Sequence, residues 1–174
     1  MANKTLLKKT LAEFNAEQLR ELILEMYTAR SDIKEYINFF LDPDSKALAE
    51  KCIKPIMKEL DRNKWGDCTA RFSKIRKEIK HFESFSPDPP VVIEFYRDIV
   101  FRSLIISRYN WFGKAQANGY AQLLKKYLEI SERNERLDSS IEGLDNFIKK
   151  NGLRNDISMD TADIISEFLD EKKL

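Results

Sequence analysis

The spacing of apolar residues constrains this chain more than anything else in it. They recur three and four positions apart over nearly all of its 174 residues, and no stretch alternates with period two. Each residue turns a helix by about 100 degrees, so this spacing gathers apolar side chains into a stripe that needs burying, whereas a half-buried strand would need alternation. The expected fold is all-α, as a single compact bundle or a short stack of α-hairpins of about seven to nine helices. One domain is expected over residues 1–174, and no repeat of about 30 to 45 residues matches well enough to make it a solenoid.

Punctuation sets the helix ends. Thr5 is placed to cap a first helix reaching about Phe14, and Asn15 with Gln18 makes a capping-box pattern that opens "AEQLRELILEMYTAR". Leu19, Leu22, Ile23, Met26 and Tyr27 form the stripe of that second helix, with Glu17, Glu21 and Glu25 along its other side. The period runs on through Ile33, Tyr36, Ile37, Phe40 and Leu41, which predicts one long helix, kinked if anywhere at Ser31. "DPD" at 42–44 stops it, because Pro43 disfavours helical geometry at Asp42 and has no N–H to donate.

A helix from about Ser45 to Leu60 carries Pro55, which should bend or split it. "DRNKWGD" reads as a loop in which Asp67 can cap the following helix, and "SPDPP" as an extended link that starts the next helix on proline. From about Val91 to Tyr109 the chain is apolar nearly all round and is the expected centre of the core. "NWFGKAQANG" at 110–119 reads as a turn, with a helix from about Lys114 to Leu137 whose stripe is Tyr120, Leu123, Leu124, Tyr127, Leu128 and Leu137. A short helix from Ser139 to Lys150, stopped by Asn-Gly, precedes a last one from near Ser158 that buries Ile164, Ile165, Phe168 and Leu169.

Charge excludes several functions. Thirty basic side chains nearly cancel twenty-nine acidic ones, so no overall field draws the chain to DNA or to an anionic membrane. The opening "MANKTLLKKTLAEF" lacks a secretory h-region, and no run of about eighteen apolar residues occurs. A cytoplasmic location without membrane partners is expected, in agreement with only two cysteines, Cys52 and Cys68.

One local charge cluster stands out. In "CTARFSKIRKEIKHF", Arg71, Lys74, Arg76, Lys77 and Lys80 oppose a single acidic residue, Glu78. Phe72, Ile75, Ile79 and Phe82 fall within about 80 degrees of one another on a helical wheel and face the core. The basic residues take the remaining arc, which makes them first a solvated face. They also form a candidate face for an anion, a nucleic acid or an acidic protein surface, with Arg62, Lys64 and Trp65 just upstream.

Signals for catalysis are sparse. His81 is the only histidine, no glycine-rich phosphate loop is present, and the cysteines form no CxxC. Cys68, near a helix start, is the thiol whose pKa a helix N-terminus could lower. Glu94 and Asp98, four apart on the most apolar helix, could share a proton or a metal, although Arg97, Arg102 and Arg108 on the same helix offer ordinary ion pairs. The cluster "YNWFG" suits a pocket, an interface or a buried hinge.

"ELILEMYTARSDIKEYINFFLDPD" followed by "ARFSKIRKEIKHFESFSPDPP" resembles a family of small bacterial helical proteins known as a domain of unknown function, in which an ARFSK-type helix precedes a PDP link. The resemblance covers about residues 5–130, while helices at 138–174 lie beyond it. It implies a helical, bacterial, cytosolic protein and brings no site residues. The leading reading is a non-catalytic protein–protein interaction or adaptor module, without cofactor and with self-association as one form of partnership. The alternative is weak nucleic-acid or anion binding through the basic helix, and the third reading is an enzyme using carboxylates at Glu94 and Asp98.

Overall fold

The computed structural model of the chain describes residues 3–63, 66 and 68–171. Among the described residues there are nine helices and no strand, in two compact units, Met1–Asp44 and Ser45–Leu174.

Unit 1 holds three helices. α1 (Lys4–Ala12) is capped by Asn3, whose Oδ1 accepts from the Leu6 amide at 2.9 Å, so the cap lies two residues ahead of Thr5. α2 (Ala16–Ala29) opens with the expected capping box: Asn15 and Gln18 each take the other's backbone N–H at 2.9 Å. The single long helix expected beyond it is broken. Arg30 is extended (φ −134°, ψ 117°), its guanidinium holds both oxygens of Asp32, and α3 (Ser31–Leu41) restarts from there. Tyr27 Oη donates to Asn38 Oδ1 at 2.9 Å. In a continuous helix those residues would stand roughly 16 Å apart along the axis, so α2 and α3 fold back as a hairpin. The break lets part of each stripe meet the other, as half-buried Leu22, Tyr27, Ile33 and Ile37. Asp42 ends α3 at the expected stop.

Unit 2 holds six. α4 (Ser45–Glu59) runs through Pro55 without splitting. Leu48, Cys52, Ile56 and Leu60, spaced by four on both sides of the proline, are all buried, and packing of that stripe outweighs a penalty of about 3 kcal/mol for proline in a helix. α5 (Phe72–Glu83) buries Phe72, Ile75, Ile79 and Phe82, as the wheel predicts. Asp88 and Pro89 start α6 (Pro89–Ser107), which lies against α4 and three later helices: α7 (Lys114–Arg133), α8 (Leu137–Lys150) and α9 (Asp156–Asp170). The central role expected of α6 is observed, with Ile99, Val100 and Leu104 fully buried.

Two details depart from the pattern. Gly119 is no turn residue but sits inside α7, because a Cβ there would stand 2.5 Å from the Phe72 side chain of α5. α7 ends at Arg133, four residues short of the expected Leu137, which opens α8 after Glu135 takes a left-handed φ of 57°. α9 begins at Asp156, capped by Asn155, and Leu169 is only half-buried while Ile164, Ile165 and Phe168 are buried. α9 is fixed to α7 by a dry hydrogen bond of 2.8 Å between Tyr120 and Thr161. Thr161 already donates to the Ile157 carbonyl, so the Tyr120 hydroxyl is the donor.

Candidate functional site

The five basic residues are not one ridge. Arg71 stands before α5, as its N-cap, and donates to both carboxylate oxygens of Glu59 at 2.7 and 2.8 Å. Lys74 reaches the same carboxylate at 3.4 Å. The Arg71 bond and then the nearby charges hold the Glu59 carboxyl below its usual range. Arg76 donates to Gln122 of α7. Lys77 and Lys80 are exposed and form no ion pair among the described residues. A carboxylate within the cationic face opposes a phosphate, and Glu59 was invisible to a reading of α5 alone because it lies 12 residues before Arg71. Arg76 and Lys80, with Lys126, border an apolar groove of about 230 Å³ floored by Ile75, Ile79 and Leu123.

The upstream groups divide. Lys64, Trp65 and Asp67 lie outside the described residues. The Arg62 guanidinium sits 4.8 Å from the centre of the Tyr109 ring, with that of Arg108 at 5.6 Å. The aromatic cluster splits as well: Phe112 is buried edge-on to Phe72, while Trp111 is 84% exposed. His81 is half-buried, edge-on to Phe85 at 5.2 Å. Cys68 does not start a helix; its Sγ donates to the Glu59 carbonyl at 3.3 Å, and burial pushes the thiol pKa up. That is the opposite of the activation a helix N-terminus would give.

Glu94 and Asp98 do come together with other polar groups. They line a cleft of about 530 Å³ between α6 and α8, facing Arg136 and Ser139, with the Tyr127 ring of α7 behind. Arg97 donates through Nε and Nη2 to Asp98 Oδ1 at 3.1 and 2.9 Å, which makes Asp98 an ion-pair partner. Glu94 forms no ion pair among the described residues. Arg136 and Ser139 gave no signal in the sequence, being about forty residues from Glu94. Among the described residues no group of three His, Cys, Asp or Glu side chains is placed to hold a metal ion.

Unit 1 carries most of the exposed large apolar side chains, while Trp111, Met159 and Tyr109 of unit 2 are exposed as well. Phe40 is 74% and Leu41 72% exposed, and Ile23, Met26 and Tyr36 on the same stripes are also exposed. No residue of α1, α2 or α3 is buried.

These features define an all-helical protein with one well-packed unit, one apolar hairpin unit and a polar cleft. The chain belongs to a family described as a family of unknown function (DUF6155), whose sequence model matches residues 1–166. That match spans both units and runs through α8 into α9, beyond the residue of about 130 where the resemblance read from the sequence stops. No curated protein and no solved structure gives a significant match. Among the described residues no helix is long and apolar enough to cross a membrane.

Proposed function

We infer that the chain is a non-catalytic protein–protein interaction module of the cytoplasm, and that its partner at the unit 1 hairpin is a second copy of itself. The observation that carries this reading is the stripe shared by α2 and α3, of which only part is used inside the hairpin while Ile23, Met26, Phe40 and Leu41 remain in solvent. A monomer typically leaves its largest contiguous apolar patch at ~300–600 Å², and a stable interface takes ~800 Å² from each partner. Leu6, Leu7 and Leu24 of the same unit are also exposed. A two-fold pairing presents the same face to itself, so an apolar hairpin is its own complement. The cytoplasmic placement is supported by cysteine usage, since Cys52 and Cys68 form no disulfide.

Sedimentation velocity tests it. At tens of micromolar the chain is expected near ~41 kDa, twice its 20.5 kDa, and Phe40→Glu is expected to return it to the monomer. A wild-type monomer over that whole range, or a dimer indifferent to Phe40→Glu, sinks the reading.

A further inference from the structure

The cleft between α6 and α8 is built by two helix faces that touch at one end and part at the other. Phe101 of α6 stacks on Phe147 of α8 with ring centres 4.0 Å apart, which closes one end. One turn back along each helix stand Arg97 and Gly143, and beyond them Glu94 faces Arg136 and Ser139. Gly143 has no atom within 4 Å of where a Cβ would be, so the space beside it is open. The back wall is polar although dry: Tyr127 is buried, and Ser140 Oγ donates to Ser131 Oγ at 2.9 Å, both serines being buried as well. Buried hydroxyls that bond one another form a fixed surface, with no dangling group to collapse into the space.

The charges decide what fits. Two carboxylates and two guanidiniums border the cleft, and one pair, Arg97 with Asp98, is internally satisfied. The other two, Glu94 on α6 and Arg136 at the N-cap of α8, are exposed and form no ion pair among the described residues, with each other included. A multiply charged anion would meet Arg136 but also Glu94 and Asp98. A cation would meet the reverse. A ligand that carries both a carboxylate and an ammonium satisfies both unpaired groups at once. Its carbon skeleton has Ile93 and Phe101 to lie against. We propose that this cleft binds a small zwitterion of amino-acid type, carboxylate to Arg136 and ammonium to Glu94. Free amino acids and short peptides share that chemistry. The site is independent of the self-association through unit 1.

Calorimetric titration of the full-length chain with the twenty L-amino acids and a set of dipeptides tests the site. At least one compound is expected to bind with Kd below ~1 mM, and Arg136→Gln and Glu94→Gln are each expected to weaken it about tenfold or more. Tightest binding by a free amino acid, or by a dipeptide, assigns the source. Gly143→Leu puts a side chain into the open space at a helical position where leucine is favoured over glycine, so it folds and blocks the cleft. Its Tm is expected at or above wild type with binding lost. Absence of binding by every compound at ~10 mM, binding unchanged in a folded Gly143→Leu, or binding by inorganic phosphate alone overturns the proposal.

Discussion

Unit 2 buries Ile56, Leu60, Ile75, Ile99, Leu104 and Leu124 completely, whereas the helices of unit 1, capped and striped by the same chemistry, bury no residue. Locally the two regions obey the same rules. Asn15 caps α2 with a side-chain bond to the third amide, and Asn155 does the same for α9. The difference lies in what each stripe meets. α6 has four helices packed around it, while α2 and α3 share one contact between two faces that are each wider than it. An apolar stripe therefore states that a helix requires cover without saying which surface supplies it.

The largest effect that could break this contrast is a pair of leucine truncations. Leu124→Ala, at a fully buried position, is expected to cost about 2–5 kcal/mol in urea unfolding, while Leu41→Ala stays within about 0.5 kcal/mol at concentrations too low for self-association. Equal losses would mean that Leu41 is covered in the dilute monomer and that the two units do not differ. A pair of glycines sharpens the point about packing inside unit 2. Gly119→Ala forces a Cβ to 2.5 Å from Phe72 and is expected to destabilise by about 1–3 kcal/mol. Gly143→Ala meets nothing within 4 Å and should instead stabilise α8 by about 0.5–1 kcal/mol. Thermal melts of the two variants should move in opposite directions.

The smallest effect concerns pH. Arg71 and then Lys74 lower the Glu59 pKa from its ordinary 4.5, so the folded state holds that proton less tightly than the unfolded chain. The resulting stability is present above the ordinary value and is lost as pH falls through the lowered one. Wild type minus Glu59→Gln, followed by urea unfolding, should shrink as the pH drops below about 4.5 and stay flat above about 6. The cationic partners are more than half exposed, so the change is small. A difference that grows on acidification would show that the pair opposes folding.

Much of this was legible from residues alone. The period of the stripe gave the helical class, Pro43 and Pro89 marked ends that are observed, and the four-residue core face of α5 is buried as the wheel requires. What escaped depends on partners distant in the chain. The break at Arg30 leaves the apolar period intact on both sides, so only the fold-back of Tyr27 onto Asn38 reveals it. Gly119 follows an asparagine and mimics a turn; the reason for it is a phenylalanine forty-seven positions earlier, by the numbering of Phe72 and Gly119. The basic cluster looked continuous because its counter-charge, Glu59, belongs to the preceding helix. Glu94 was noticed for interrupting an apolar run, but its opposite number Arg136 sits at a helix start with no pattern to mark it.

The bond between Tyr120 and Thr161 bears on the order in which the protein takes shape as it is made. The two residues are 41 positions apart, so a ribosome releases Thr161 some ~2–8 s after Tyr120. Until then the phenol lacks the partner it has in the folded chain and stays hydrated, at a position that is fully buried once unit 2 is complete. The α2–α3 hairpin needs only neighbours already synthesised. Translation thus completes the exposed unit early and seals the packed one late.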